Sequence, residues 1–365
     1  MLFLLDLILK NCNIIDGVSD VSFYSDIGIL ENAIVKVGNL KDYKAAKTID
    51  CEGLHAAPGF IDVHSHSDFN AFIDNGFDSK VRQGVTTEVI GNCGYSIYPL
   101  AGEFLEKIRN EANDYGVEVN WSNLCQYAEE IRRRGKLKVN LLPLTGLSAI
   151  RASVSGYSAK PSGISDMDKM KELVSKTMIE GSSGLSSGLI YPPCCYFQPD
   201  EIIELLKIAA RYGGIYSTHM RSEGNQLLEA VNEAVSAAKK AKIPLQISHL
   251  KTAERHNWYK LDSVFELIEA AQLEGAEISA DRYPYLASQT SLDMILPKWV
   301  FDSGDELSIR RLNDPLISSN IKSEILKSHP ADSDYWESVM VSKTAGKEFL
   351  KFEGMNFRQV YNIIK

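Results

Sequence analysis

Apolar and polar positions change rhythm twice along this chain. From Asp6 to about Pro58 the apolar residues come in short groups broken by turn residues. Leu7–Leu9 and Ile14–Ile15 precede Asp16-Gly17, Ile27–Ile29 and Ala33–Val35 precede Gly38-Asn39, and Thr48–Asp50 precedes Glu52-Gly53. No helical period runs through them, so this part reads as a small β module with short strands. The opening Met1–Leu5 is apolar, stops at Asp6 and carries neither a cationic start nor a cleavage site, so it reads as a strand rather than a leader or a span.

Beyond Pro58 apolar runs alternate with amphipathic segments. Runs occupy 59–63, 86–91, 139–144, 184–189, 214–218, 243–248 and 276–280. The helical period appears over 166–180, with Asp166 as N-cap, and over 200–212, opened by Pro199 and closed by Gly213-Gly214. It also appears over 223–242, with Leu227, Val231 and Val235 on one face, and over 262–274, closed by Gly275. Repeated alternation of this kind predicts parallel strands joined by helical crossovers. Seven runs are one short of a closed (β/α)8 barrel, a fold whose functional groups sit at the C-terminal strand ends. Residues 299–365 show helices and loops without a strand. The division expected is a β-sandwich part over 1–58 and an incomplete barrel over 59–365.

Several of those runs end in chemistry. The first ends in His64-Ser65-His66, and on a strand residues two apart share a face, so both imidazoles reach one point. The second is followed by Cys93, the fifth by His219 and the sixth by His249. A lone strand-end histidine is more often a satisfied polar residue than a ligand, and a lone buried cysteine is usually a small hydrophobe. Five such groups at equivalent ends of one sheet are hard to reconcile with packing alone. One thiolate among imidazoles suits zinc. His55, His256 and His329 fall outside the pattern, although His256 lies near enough to border the site.

Composition narrows the field. The chain has 365 residues, 44% of them hydrophobic, enough for a large core. The net charge of −9 and the lack of a basic stripe argue against nucleic acid, and no stretch reaches membrane-spanning length. That lack of a span predicts a cytoplasmic setting, in which six cysteines without framework spacing are thiols or metal ligands rather than disulfides. The pair Cys194-Cys195 reads as loop filler.

The motifs PGFIDVHSHSD (58–68), GVTTEVIGNCGYS (84–96), GLSSGLIYPP (184–193), YGGIYSTHMRSEG (212–224), PLQISHLK (244–251) and DRYPYLASQTSL (281–292) together resemble the N-acyl-D-amino-acid deacylases (D-aminoacylases) of the amidohydrolase superfamily. The resemblance implies a deformed TIM barrel with a small β-sandwich. It implies a tight zinc site on Cys93, His219 and His249, and a weaker second one on His64 and His66 with Cys93 bridging. Tyr191, Lys251 and Tyr283 fall where the family holds the substrate carboxylate or carbonyl. The implied reaction is metal-assisted hydrolysis of a linear amide, giving a carboxylic acid and a free D-amino acid, with a carboxylate carrying the proton to the leaving amine. Lys251 suits an α-carboxylate, and equally well a solvated loop.

One family feature has no counterpart in the sequence. The proton-shuttling Asp at the end of an eighth strand does not appear: Asp293, Asp302, Asp305, Asp314, Asp332 and Asp334 follow no strand-like run, and Asp281 matches a different family aspartate. The chain stops at Asn362–Lys365 in what reads as mid-helix, so the expectation is a piece of a longer enzyme or a shortened protein that binds metal without turnover. Two other readings remain. A cyclic amidase of the dihydroorotase or hydantoinase kind needs a lysine on the fourth barrel strand, where 184–189 has none. A purely structural barrel would bind no metal.

Overall fold

The computed structural model describes residues 4–73, 77–344 and 346–365. Of the apolar start, Met1–Phe3 lie outside the described residues. The chain divides into two compact units, Met1–Ile61 with Lys80–Thr87, and Asp62–Ser79 with Glu88–Lys365.

The first unit holds β1 (Leu5–Ile14), β2 (Phe23–Leu30), β3 (Ala33–Gly38), β4 (Ala45–Asp50) and β5 (His55–Ala56). They form one five-stranded sheet in the order β3-β2-β1-β4, with β5 also on β1. β1 pairs antiparallel with β2 and parallel with β4. Residues 1–58 thus contribute one sheet, where the expectation was the N-terminal half of a small β-sandwich. The apolar group at 7–9 and Ile14 of the next group belong to a single strand. A bulge between Leu9 and Cys12, with Asn11 at φ +57°, resets its register, so the buried set runs Leu5, Ile8, Cys12 and Ile14.

Each of the seven apolar runs after Pro58 contains strand. They are β6 (Phe60–Asp62), β7 (Val85–Ile90), β8 (Asn140–Pro143) with β9 (Thr145–Gly146), β10 (Gly184–Gly188), β11 (Ile215–His219), β12 (Leu245–Ile247) and β13 (Ile278–Ala280). The third run ends in β8, which pairs with β7, and β9 follows directly after the run and pairs with β10 in the other sheet. Gly91, at φ +75°, explains the close join there: a Cβ on it would stand 2.1 Å from the carbonyl oxygen of Leu144, between β8 and β9. From β9 to β13 the pairing is parallel and follows chain order, as helical crossovers require.

The helices are the one-turn α1 (Asp78–Val81), then α2 (Gly102–Asp114), α3 (Leu124–Arg134), α4 (Leu147–Ser155), α5 (Ile164–Ile179), α6 (Pro199–Arg211), α7 (Leu227–Ala241) and α8 (Leu261–Leu273). Along β11 the side chains alternate. Tyr216 packs outward with Leu185, Leu245 and Ile247 against Val174, Leu206 and Val231 of the helices, and Ser217 and His219 share the opposite face. That inner face is small and polar. Ser217 donates to Asn92 (3.0 Å) and lies 3.1 Å from Ser248, and Ser186 meets the 91–94 turn through Gly91 O and Gly94 N.

Two helix starts differ from the sequence reading. Gly163 takes the N-cap position of α5, leaving Asp166 in the first turn, where its charge favours the helix dipole. α7 starts at Leu227 rather than at residue 223, because Glu223, Gly224 and Asn225 belong to the loop after β11. Residues 299–365 are helical turns and helices, with an isolated bridge between Met340 and Asn356. All six cysteines are free thiols, and Cys194 lies in the core rather than filling a loop. Among the described residues no helix is long and apolar enough to cross a membrane.

Candidate metal centre

Parallel strands that start together also end together, so residues just past their C-terminal ends face one another. His64 stands two residues after β6, Cys93 three after β7, His219 is the last residue of β11, and His249 stands two after β12. Two of these positions use left-handed backbone, Cys93 at φ +54° and His249 at φ +37°, which non-glycine residues adopt sparingly. The turn holding Cys93 is pinned from beneath. Gly188 lets β10 approach so closely that a Cβ there would stand 2.1 Å from Cys93 O.

The side chains meet. Cys93 Sγ lies 3.3 Å from His64 Nε2 and 3.5 Å from His249 Nε2. The His219 and His249 ring centres are 4.3 Å apart, those of His64 and His249 4.9 Å. His66 stands beside His64, ring centres 5.4 Å apart, with an exposed edge. Two groups of donor atoms are each compact enough for one cation: His64, Cys93 and His249, and His219, Glu223 and His249. His249 is the member they share.

Electrostatics favour ligand-ready rings. Burial pushes the His219 imidazole down to about 3, the neutral form that binds metals, and neither of its ring nitrogens has a hydrogen-bond partner. A buried ring with two unpaired nitrogens is costly unless something else takes a lone pair. Burial, then the Glu223 and Asp281 charges, push the Cys93 thiol far above its ordinary value. A bound dication reverses that by stabilising the thiolate. The donor set, one thiol and several imidazoles in one cluster, fits zinc.

Two carboxylates stand behind the rings, and the sequence reading gave neither a role. Asp281, directly after β13, accepts from His249 N (2.7 Å) and Gln246 Nε2 (2.9 Å) and lies 3.5 Å from His64 Nδ1. Burial works against its ionised form, yet the His64 ring and these donors outweigh it and lower its pKa. Glu223 Oε1 lies 2.6 Å from His249 Nδ1 and 2.5 Å from Lys251 Nζ. Burial would raise the Glu223 carboxyl, but hydrogen bonding to His249 and the charges of His219, Lys251 and His249 hold it at about 2. The signal for Glu223 lay in Ser222 and Gly224, poor helix residues on either side of it.

Of the expected substrate residues, Tyr191 packs its ring on His219 (centres 5.0 Å apart), and its hydroxyl is 3.3 Å from Thr290 Oγ1. Its pKa is pushed up to about 12 by burial. Lys251 sits 5.7 Å from the Tyr283 ring centre, and Arg282 covers that ring at 4.2 Å. Lys251 is thus a nearly buried partner of Glu223 rather than a solvated loop lysine. His256 is exposed and pairs with Asn225 (2.7 Å), one loop away from the cluster.

Parallel strands alternating with helices, with the histidines at the strand ends, define the class as a TIM-barrel-like α/β fold. Comparison with known proteins places it more narrowly. No family model matches the chain. It is 33% identical over 287 residues to the D-aminoacylase of Alcaligenes xylosoxydans xylosoxydans, covering 79% of this chain and 59% of that one. A crystal structure of D-aminoacylase, described as defining a novel subset of amidohydrolases, superimposes with a TM-score of 0.70 at 32% identity, covering 78% of this chain and 59% of that one. The N-acyl-D-glutamate deacylase of Bordetella bronchiseptica, crystallised with zinc and a phosphonate mimic of its tetrahedral intermediate, does so with 0.72 at 26%, with the same coverage. The chain is a homologue of the D-aminoacylase-type amidohydrolases, and it spans about three fifths of the length of the relatives it matches.

Proposed function

We propose that this chain carries the metal- and substrate-binding part of a zinc-dependent N-acyl-D-amino-acid deacylase, which hydrolyses a linear amide to a carboxylate and a free D-amino acid. One observation carries the reading: His64, Cys93, His219 and His249 converge at the strand ends, with both His219 nitrogens buried and unpaired. His66 flanks them and completes the proposed ligand set. A tight zinc on Cys93, His219 and His249, with a weaker second ion towards His64 and His66, is the arrangement proposed. When bound, the metal supplies Lewis acidity to the scissile carbonyl and to water.

The chain's own residues do the rest. Lys251 and Tyr283 form a cationic and aromatic wall beside the cluster, suited to the substrate α-carboxylate, and Tyr191, packed on His219, carries a protonated hydroxyl. Both carboxylates at the cluster, Glu223 and Asp281, are committed to histidines. Neither is free to carry a proton to a leaving amine, so turnover by this chain on its own is proposed to be negligible. The absence of lysine from β10 weighs against the cyclic amidases, whose paired metals need a carboxylated lysine there.

Calorimetric titration of the zinc-loaded chain with N-acetyl-D-methionine, N-acetyl-L-methionine and hydantoin tests the reading. Zinc-dependent binding that prefers the D-enantiomer is expected. Equal binding of both enantiomers, binding without zinc, or preference for hydantoin would refute it. Robust deacylation of N-acetyl-D-methionine would overturn the claim about turnover alone. The expected setting, a cytoplasmic enzyme acting on a small molecule, is part of the same proposal.

A further inference from the structure

On the reading of the cluster as a metal site, on which the inference rests, we propose that Asn92 is a positioning residue of that site. Its buried amide couples the strand end that carries Cys93 to those that carry His219 and His249, and so sets the distance from thiol to imidazoles.

The four converging side chains come from two sheets. His64 and Cys93 follow β6 and β7 of the three-stranded sheet, whereas His219 closes β11 and His249 follows β12 of the five-stranded one. Backbone ladders fix the spacing within each sheet. The 3.5 Å gap between Cys93 Sγ and His249 Nε2 depends on contacts that cross from one sheet to the other. Asn92 makes such a contact. It stands one residue before Cys93, is fully buried, and its Oδ1 accepts from Ser217 Oγ of β11 at 3.0 Å. Ser217 Oγ lies 3.1 Å from the Oγ of Ser248, one residue before His249.

The bonds run in one direction. Asn92 Nδ2 donates to Val89 O (2.9 Å) and, at longer reach, to Val63 O (3.4 Å). Carbonyl oxygens only accept, so the amide nitrogen faces them and the amide oxygen faces Ser217. A hydroxyl has one proton. Ser217 gives its own to Asn92, so Ser248 donates to Ser217. Val89 O also accepts from Ser65 N (3.1 Å), which brings the segment between His64 and His66 into the same network. Val63, Asn92, Ser217 and Ser248 thus each stand one or two residues before a proposed ligand. The two-residue step from Ser217 to His219 keeps both on one face of β11, so a shift of one carries the other. The three side chains are buried, where an unpaired donor or acceptor is costly, and the network therefore holds a single arrangement.

The test uses the full chain. Zinc affinity is measured by competition with a chromophoric chelator, stability by urea unfolding of the metal-free chain, and ligand geometry by absorption of cobalt-loaded samples. The variants are Asn92→Leu, Ser217→Ala, the two combined, Leu206→Ala as a core control, and Cys93→Ala. Leu has the branching of Asn without its donor or acceptor. Asn92→Leu and Ser217→Ala should each bind zinc roughly ten- to hundredfold more weakly, with cobalt bands moved from their wild-type positions. The combined variant should bind no more weakly than Asn92→Leu alone, because both changes remove the same bond. Leu206→Ala should lose stability yet keep zinc affinity within twofold of wild type, with cobalt bands in place.

Zinc affinity within twofold of wild type in either Asn92→Leu or Ser217→Ala overturns the proposal. Unmoved cobalt bands do the same, as do additive losses in the combined variant. An equal zinc loss in Leu206→Ala would make the effect one of general stability and also overturn it. Should Asn92→Leu not fold, the zinc affinity and cobalt spectrum of Ser217→Ala decide alone. Full zinc binding by Cys93→Ala, or none by the wild type, would instead sink the underlying metal-site reading, a separate result.

Discussion

Replacing Gly188 by Ala tests how rigidly the fold holds Cys93. The added methyl would stand 2.1 Å from Cys93 O, 2.9 Å from Cys93 C and 2.8 Å from Tyr191 Cδ2. Ordinary contact needs well over 3 Å, so something must retreat by roughly 1 Å. β10 is the stiffer partner. Its five residues are buried, it is paired on both sides, and Ser186 ties it to the 91–94 turn. The Cys93 turn therefore yields and carries Sγ away from His64 and His249. Overpacking of this kind costs about 1–3 kcal/mol. Metal sites tolerate ligand displacements of only about 0.2 Å, so zinc affinity should fall at least about tenfold, beyond what the stability loss explains. Gly213→Ala is the control: its φ of +71° disfavours a side chain, but nothing lies within 4 Å of a Cβ there. It should cost about 1–2 kcal/mol and leave zinc binding alone. Zinc competition titrations and thermal unfolding of both variants read the difference. If Gly188→Ala keeps wild-type zinc affinity, or if both variants lose it equally, the coupling of β10 to the thiol is wrong.

Other expectations follow from the same geometry. Asp281→Ala removes the acceptor of His249 N and the carboxylate behind His64, and should weaken zinc by about tenfold in the same titration. Arg221 joins Glu233 through paired bonds and donates to the carbonyls of Cys195 and Phe197; Arg221→Ala should cost about 2–3 kcal/mol by denaturant unfolding, less than a fully buried pair. Leu206→Ala opens the core between α6 and its neighbours and should cost about 2–5 kcal/mol. Lys239→Ala breaks an exposed pair with Glu274 and should change stability by under about 1 kcal/mol.

The strand ends were legible because the period of a strand is short and its burial strict. An apolar run of five or six residues can hardly be anything else between turn residues, and whatever polar residue closes it lies at the sheet end. That is why His64, Cys93, His219 and His249 could be grouped before any coordinates. What failed to read was set by contacts from elsewhere. Glu223 continues the amphipathic pattern of 227–241, and the weak helix preference of Ser222 and Gly224 beside it is the one local sign that it lies in a loop. The break between β8 and β9 at Leu144 lies where Gly91 backs onto the chain, residues 53 positions apart. The cap of α5 moved to Gly163 because helix ends are weakly specified by local preference. Lys251 reads from sequence as an anion partner or a solvated loop lysine, and its burial beside Glu223 removes only the second.

The claim beneath all of this is that Cys93 and the strand-end histidines hold one metal centre. Zinc-edge X-ray absorption of the loaded chain measures it directly. The account predicts a sulfur neighbour near about 2.3 Å with nitrogen neighbours near about 2.0–2.1 Å, and loss of the sulfur shell in Cys93→Ser. A coordination shell without sulfur in the wild type, or one unchanged in Cys93→Ser, would contradict it.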